Sequence, residues 1–150
     1  MRLIDFFTPD AVNLTLRGRT RDDILAELVR LLDTDHRSSE TLLRMLSRRE
    51  SLGSTGIGRG VAVPHARSLV VNRLQLAFGR SPEGIEYQAI DCRPVHYFFL
   101  IVAPPVEISN QYLPVLGRIA QFANRPEVPE CLAAIGSAEQ FFRLWEEKGV

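Results

Sequence analysis

The sequence predicts a mixed α/β (α+β) fold in which helices flank a small mixed β-sheet. Apolar residues recur at helical spacing in residues 21–32, in residues 38–53 and again beyond residue 112. Apolar runs of strand length lie between these segments, and residues 95–102 lack the polar alternation of a half-exposed strand. The 150 residues contain no repeat and no visible linker, so we expect a single domain, residues 1–150.

The composition excludes two classes of function. Lys plus Arg and Asp plus Glu are each 18, so the chain lacks the basic field that nucleic-acid binding usually needs. The N-terminus reaches Asp5 and Pro9 before an apolar signal segment could form, and no apolar run is long enough to span a membrane. We therefore expect a cytoplasmic protein that neither inserts into a membrane nor binds nucleic acid.

The cysteines predict neither a metal site nor a dithiol redox site. Cys92 and Cys131 are far apart, and neither belongs to a C-x-x-C pair. Their spacing leaves a disulfide open, but a chain without a secretory signal is expected in a reducing compartment. The remaining acids, Glu50, Glu83, Glu86 and Asp91, form no recognisable metal cage or catalytic carboxylate pair.

Two elements are predicted at the N-terminal end. Residues 12–16, V-N-L-T-L, alternate in the manner of a short strand. Thr20 and Asp23 resemble a capping box, which predicts that an amphipathic helix begins there and covers residues 21–32. We expect both elements to serve as scaffold.

A second helix is predicted from a cap at Ser38 or Ser39 to Gly53. Its buried stripe is predicted to be Leu42, Leu43 and Leu46. Its polar side is predicted to carry Arg44, Arg48, Arg49 and Glu50. Residues 53–60, G-S-T-G-I-G-R-G, are too rich in glycine for regular structure, so an irregular loop is expected there. V-A-V-P-H then predicts a short strand that Pro64 stops, with His65 at its end.

The second half of the chain predicts two strands and then helices. Residues 74–78 and 95–102 have strand composition, and the second is expected to be the central strand. Loop and turn residues lie between them, around an edge segment at residues 85–87. After two prolines a helix is predicted with the buried stripe Leu113, Leu116, Ile119, Ala120 and Ala123. Ser137 and Gln140 form a capping box for a last helix.

The glycine-rich segment favours an anion site over a nucleotide site. A dinucleotide fingerprint follows a strand and opens a helix, whereas this segment follows a helix and opens a strand. A Walker loop needs G-K-[ST], and here Val61 follows Gly60. Glycines also let backbone N–H groups approach an anion closely, which suits a phosphoryl group.

His65 is the candidate reactive residue. Its imidazole, with an ordinary pKa of about 6.5, keeps a neutral nucleophilic nitrogen near pH 7 and can carry a phosphoryl group. Three arginines close in sequence, Arg49, Arg59 and Arg67, could stabilise the anion with their guanidinium forks. A hydrogen-bonded loop histidine explains the residue equally well from chemistry alone, and His96 is expected to be a core histidine.

Residues 48–65, R-R-E-S-L-G-S-T-G-I-G-R-G-V-A-V-P-H, resemble the signature of phosphotransferase-system enzyme IIA proteins of the fructose/mannitol/nitrogen-regulatory class. D-C-R-P-V-H-Y-F-F-L-I-V-A-P and Y-L-P-V-L-G-R-I-A follow in the order that this family shows. The resemblance implies an enzyme IIA fold and phosphorylation of His65 by the HPr phosphocarrier or its nitrogen-branch relative. It also implies possible transfer to an enzyme IIB partner, with no metal or organic cofactor.

The same resemblance assigns the other site residues. Arg49 matches the family's arginine near the reactive histidine, and Thr55, Gly56 and Gly58 are expected to bind phosphate with Tyr112. The family commonly has a second histidine at the position of Tyr112, and a phenol can donate a hydrogen bond to phosphate but brings no positive charge. The substitution therefore bears on onward transfer more than on phosphorylation.

The expected function is that of a phosphohistidine carrier, not of a multiple-turnover enzyme on a small molecule. A stand-alone nitrogen-regulatory type fits best, and the alternative is a regulatory binding module that has lost onward transfer. Exposed apolar residues near His65 would suit transient docking, and the candidates are Leu52, Ile57, Leu69 and Val70. The sequence leaves a homodimer open.

Overall fold

The computed structural model describes residues 2–106 and 110–150, and within them it shows a mixed sheet of six strands with five α-helices. The strands are β1 (Phe7–Asn13), β2 (Gly56–Gly58), β3 (Val61–Ala62), β4 (His65–Arg67), β5 (Gln75–Ile85) and β6 (Val95–Ala103). The helices are α1 (Arg21–Val29), α2 (His36–Ser51), α3 (Tyr112–Ala123), α4 (Val128–Ala134) and α5 (Ala138–Glu147). The predicted mixed fold is confirmed.

β6 is the central strand, as its unbroken apolar sequence predicts. The strand order is β1-β5-β6-β3-β2, and β4 also pairs with β6. Alternate β6 residues enter different cores. Phe99 belongs to an aromatic cluster with Phe122 and Trp145, whose rings stack at 4.4 Å, whereas Phe98 packs in the core that contains the buried faces of α1 and α2. Helices therefore cover both faces of the sheet.

Two of the predicted strands have the wrong bounds. β1 is an edge strand that begins at Phe7, five residues before the prediction, and it tolerates Pro9 because an edge strand can leave one N–H side unpaired. β5 continues through the predicted loop to Ile85, with an irregular register after Arg80. Gly84, whose φ is +80°, accommodates that irregularity.

The glycine-rich segment is also more regular than predicted, because Gly56–Gly58 forms β2 and pairs with β3. A Cβ on Gly56 would lie 2.7 Å from the Cβ of Ala89, so only glycine allows this close approach. Arg59 and Gly60 make the two-residue turn with φ of 57° and 77°, as expected of a hairpin turn with positive φ at both positions.

The helix caps are partly as predicted. Thr20 and Ser137 cap α1 and α5 by accepting hydrogen bonds from the N–H groups of Asp23 and Gln140. The predicted cap of α2 at Ser38 or Ser39 is wrong, because Asp35 accepts from the N–H of Ser38 and starts the helix earlier. The N–H groups in the first turn of a helix have no partner within the helix and need an acceptor. The Asp35 carboxylate lies in the N-cap position, where it can accept from one of them.

The buried stripe of α3 differs from the predicted one. The structure buries Tyr112, Val115, Ile119, Phe122 and Ala123, whereas Leu113 is 66% exposed. Because Phe122 stacks on Trp145, the helix is oriented by its aromatic residues and not by the leucines. α1 ends at Val29 instead of residue 32, and α4 was not predicted.

β3 and β4 lie on the same edge of β6, and Pro64 separates them. Val61 pairs with Tyr97 and His65 with Ile101, so both segments keep one register. Pro64 has no N–H to donate, but its carbonyl accepts from the N–H of Ile101 at 3.0 Å. Pairing therefore resumes at once, and His65 begins β4 instead of ending the preceding strand as predicted.

Among the described residues, no helix is long and apolar enough to cross a membrane. Cys92 and Cys131 are free thiols, the first of them exposed.

Candidate functional site

The ring of His65 is fixed by the backbone two residues before it. Its Nδ1 lies 2.7 Å from the carbonyl oxygen of Val63. Because a carbonyl oxygen can only accept a hydrogen bond, Nδ1 carries the proton, and the neutral ring holds its lone pair on Nε2. In the described part of the chain nothing is hydrogen-bonded to Nε2. The local backbone thus presents one defined nucleophilic nitrogen.

His65 lines an open hollow of about 390 Å³ between α2, β4 and the start of α3. The hollow is lined by Met45, Arg48, Arg49, Leu52, His65, Ala66, Arg67 and Tyr112. The predicted pair His65 and Arg49 therefore share one site, although they are 16 positions apart. Three guanidinium groups around one neutral imidazole make a site suited to an anion.

Two of these arginines are held by backbone carbonyls and not by carboxylates. Nη1 of Arg49 donates to the carbonyl of Gly53 at 2.8 Å, and Nη1 of Arg67 donates to the carbonyl of Pro105 at 3.1 Å. Within residues 2–106 and 110–150, neither guanidinium forms a salt bridge. A carbonyl orients a guanidinium without neutralising it, so both keep their full charge for a ligand.

Tyr112 connects the histidine to one of the arginines. Its ring centroid lies 6.3 Å from that of His65, and the guanidinium carbon of Arg67 lies 4.3 Å from the Tyr112 centroid. This is a cation–π contact. Burial raises the pKa of the Tyr112 hydroxyl above its ordinary value, although Arg67 and Arg49 act in the opposite direction. The hydroxyl therefore stays protonated at neutral pH.

His96 provides an internal comparison. Its Nδ1 also lies close to a carbonyl oxygen, that of Ser81, at 2.9 Å, so its tautomer is the same. It is half-buried on β6, with Gly84 and Pro94 beside it. It does not line the arginine hollow. The prediction of a satisfied structural histidine fits this geometry, and the surroundings rather than the tautomer distinguish His65.

The predicted phosphate-binding residues other than Tyr112 do not line this hollow. Both the N–H and the hydroxyl of Thr55 donate to Glu50, and the N–H of Gly56 donates to Ser54. Gly58, with φ of 98°, lines a different hollow. Their contact with phosphate stays a prediction, and the contacts described here give Thr55 a structural role.

Arg59 is not brought to His65. It lies in the β2–β3 turn, where its N–H donates to Asp91 at 3.1 Å, and it lines the second hollow with Ile57 and Gln121. Leu52 and Leu69 are 80% and 89% exposed, and Ile57 is 41% exposed. Of these, Leu52 lines the His65 hollow, so an apolar surface adjoins the arginines there.

Glu50 is buried, although the sequence pattern predicts that it lies on the polar side of α2. Glu50 is only 5% exposed and accepts hydrogen bonds from the N–H and hydroxyl of Thr55 and from the hydroxyl of Tyr87 at 2.6 Å. A buried carboxylate requires such donors to replace water. The hydrogen bonds from Thr55 to Glu50 thus hold the start of the glycine-rich segment against the end of α2, next to Arg49. Burial and the Glu50 carboxylate raise the pKa of Tyr87.

Tyr87→Phe is expected to lower the free energy of unfolding by about 1–3 kcal/mol, because it removes a donor from a buried carboxylate. Urea unfolding monitored by circular dichroism measures the change. Tyr97→Phe is the matched control, since the Tyr97 hydroxyl has no hydrogen-bond partner among the described residues and its loss should change stability by less than about 0.5 kcal/mol. Equal stability of the two variants would contradict a stabilising role for the hydrogen bond from Tyr87 to Glu50.

The described side chains of the site are not arranged to hold a metal ion. In the described ranges, no group of three or more His, Cys, Asp or Glu side chains could hold one. The chemistry available is a neutral imidazole nucleophile beside fixed positive charges, which is suited to accepting an anionic electrophile such as a phosphoryl group.

Comparison with known families and proteins gives a consistent result. The family model described as "Phosphoenolpyruvate-dependent sugar phosphotransferase system, EIIA 2" matches residues 5–148. The PTS system fructose-specific EIIABC component of Bacillus subtilis is 31% identical over 130 residues, which are 85% of this chain but 20% of that protein. A nitrogen regulatory protein of Bradyrhizobium diazoefficiens is 27% identical over 145 residues, 96% of this chain and 94% of its own length.

Two solved structures show the same fold. The nitrogen regulatory protein IIA-Ntr from Neisseria meningitidis superposes with a TM-score of 0.85 at 28% identity, over 94% of this chain and 97% of that one. The enzyme IIA of the Escherichia coli mannitol system, solved in complex with phosphorylated enzyme IIB, gives a TM-score of 0.76 at 18% identity. It covers 94% of this chain and 99% of that chain.

Proposed function

The chain belongs to the EIIA 2 family of the phosphoenolpyruvate-dependent sugar phosphotransferase system, and we propose that it accepts a phosphoryl group on Nε2 of His65. The observation that carries the proposal is the hydrogen bond from Nδ1 to the Val63 carbonyl. It leaves the lone pair on Nε2, beside Arg49 and Arg67, which form no salt bridge with any described residue. The donor is a phosphohistidine on an HPr-like phosphocarrier.

The transfer balances without a change in the protonation of His65. The Nε2 lone pair attacks the donor's phosphorus, and the donor's N–P bond breaks. The donor ring, which is protonated on its other nitrogen, takes that electron pair and leaves as a neutral imidazole, while the His65 ring becomes an imidazolium. Nδ1 of His65 keeps its proton on the Val63 carbonyl throughout. The protein's contribution is the alignment of Nε2 and the positive charge around the three equatorial oxygens.

A nitrogen-regulatory role is supported more than a role in sugar transport. The nitrogen regulatory protein IIA-Ntr from Neisseria meningitidis superposes on this chain with a TM-score of 0.85 at 28% identity. The enzyme IIA of the Escherichia coli mannitol system superposes less closely, with a TM-score of 0.76 at 18% identity. We propose a carrier of the nitrogen-regulatory branch, with its phosphorylation state as the regulated quantity.

Phosphoryl acceptance is tested by incubating the protein with enzyme I, an HPr-like carrier and labelled phosphoenolpyruvate. The expected result is one labelled phosphoryl group per chain. Acid should remove this label and base should not, as expected of a phosphohistidine. HPr and a nitrogen-branch relative are each used as donor, and a known enzyme IIA protein is labelled in parallel. Absence of label with both donors, while the control is labelled, contradicts the proposal.

The second candidate is a regulatory module that takes the phosphoryl group and does not pass it on. Tyr112 favours it, because a phenol supplies no positive charge where the family commonly has a second histidine. The labelled protein is mixed with an enzyme IIB domain of the mannitol or fructose type, and label on IIB is measured over time. Label on IIB from the wild type supports a carrier. Label on IIB from the Tyr112→His variant but not from the wild type supports the regulatory module.

A further inference from the structure

Arg67 combines three features that place it at the candidate site. It lies two residues after His65 on β4, and residues at this spacing project from the same side of a strand. It stacks on Tyr112, the ring that also neighbours His65. It donates to the carbonyl of Pro105, which fixes the guanidinium from a second direction. A long flexible side chain is thus held in one place beside the reactive ring.

This arrangement keeps the charge of Arg67 available. Within the described residues, Pro105 is its only hydrogen-bond acceptor, and no carboxylate lies within salt-bridge distance of it. A guanidinium has five N–H donors, so the tether at Nη1 leaves others for an anion. The π-face contact with Tyr112 restricts its motion without using those in-plane donors.

We propose that Arg67 is a further catalytic residue, whose guanidinium donates hydrogen bonds to the phosphoryl group as it transfers to Nε2 of His65. With Arg49 it makes a two-sided clamp, one arginine from the end of α2 and the other from β4. Each is held by a backbone carbonyl, so neither has to give up an ion pair to bind the phosphoryl oxygens. This inference rests on the proposed function and names a residue for the same reaction.

The clamp also gives Tyr112 a defined part. The tyrosine provides no charge itself, but its buried ring is the surface on which the charge of Arg67 is positioned. The positive charge that a second histidine would bring only when protonated is supplied here by a guanidinium, which stays charged at all physiological pH values. Arg67 and Tyr112 therefore act as one unit.

The test is rapid-quench transfer from a purified, labelled HPr-like carrier to the wild type, Arg67→Lys and Arg67→Gln. Loss of a charged hydrogen bond in the transition state should lower the maximum rate of Arg67→Gln by about 10- to 100-fold. Half-saturation by the carrier should stay within about threefold, because the lost contact is to the phosphoryl group. Arg67→Lys should fall between the two, since it keeps the charge and loses the planar fork.

Arg73→Gln is the matched control, because Arg73 is exposed and follows β4 closely in the sequence but does not line the His65 hollow. Its maximum rate should stay within about threefold of the wild type. A wild-type maximum rate for Arg67→Gln, or a change in half-saturation alone, overturns the inference and leaves Arg67 a docking residue. Failure of the wild type itself to accept label would instead overturn the proposed function. Thermal unfolding of each variant separates these outcomes from misfolding.

Discussion

Replacing His65 with alanine is expected to abolish phosphoryl acceptance completely, because no second side chain in the hollow presents a neutral nitrogen lone pair. The other groups there are three guanidiniums, which cannot deprotonate, and the Tyr112 hydroxyl, whose pKa is raised by burial. His65→Gln should be equally inactive, although it keeps the size and polarity of the side chain. Incubation with the full donor system and labelled phosphoenolpyruvate measures the effect.

His96→Gln is the matched control for this variant. Both histidines are half-buried in strands, and in both Nδ1 lies beside a backbone carbonyl oxygen. If tautomer alone made a histidine reactive, both substitutions would remove label; if the arginine hollow is required, His96→Gln keeps the whole signal. Label that persists in His65→Ala and disappears in His96→Gln would identify His96 on β6 as the acceptor and contradict the proposal.

Arg49→Gln is expected to lower the maximum rate of phosphoryl acceptance by about 100- to 1,000-fold, the range seen when one fixed transition-state donor is removed. Its guanidinium lines the His65 hollow, and the Gly53 carbonyl holds it at 2.8 Å without cancelling its charge. Arg49→Lys should recover part of the rate, since it restores the charge but not the fork. Rapid-quench transfer from the labelled carrier gives the rates.

A matched substitution on the same helix is Arg44→Gln, which removes an exposed arginine that does not line the hollow. Its rate should be that of the wild type within about twofold. If Arg44→Gln slows transfer as much as Arg49→Gln does, the net charge of the helix matters and the position of Arg49 does not. Equal stability of Arg44→Gln and Arg49→Gln in urea would show that a difference in their rates does not come from unfolding.

That His65 and Arg49 line one hollow could be predicted, because the residues that indicate it lie close together in the sequence. The glycine segment, Pro64 and His65 are contiguous, and Arg49 precedes them by a few residues on the same helix-to-strand connection. Arg59 was equally near in sequence but lies in the hairpin turn away from the hollow. Proximity in sequence therefore did not decide which arginine faces the site.

Glu50 could not have been placed from its neighbours. In sequence it follows two arginines on a helix, the usual pattern of a solvated face. Its burial depends on Tyr87, which is 37 positions away and was predicted only as part of an edge segment, with no contact to α2. A long-range hydrogen bond of this kind has no periodic signature, so only the tertiary structure reveals it.

The central strand and the helical C-terminal third were predicted correctly, because continuous apolar sequence and capping residues are local signals. The orientation of α3 was not, since it depends on the packing of Phe122 against Trp145 from a different helix. That orientation buries Tyr112 and brings its ring beside His65. The part of the site that sequence missed is therefore the part that packing between helices and sheet creates.

The most direct test of the central claim is a nitrogen–phosphorus NMR experiment on protein labelled with ¹⁵N-histidine and phosphorylated by the carrier. The hydrogen bond from Nδ1 to the Val63 carbonyl predicts that the phosphorus couples to Nε2 of His65 and that Nδ1 keeps its proton. Coupling to Nδ1 of His65, or to a ring nitrogen of His36 or His96, would contradict the account.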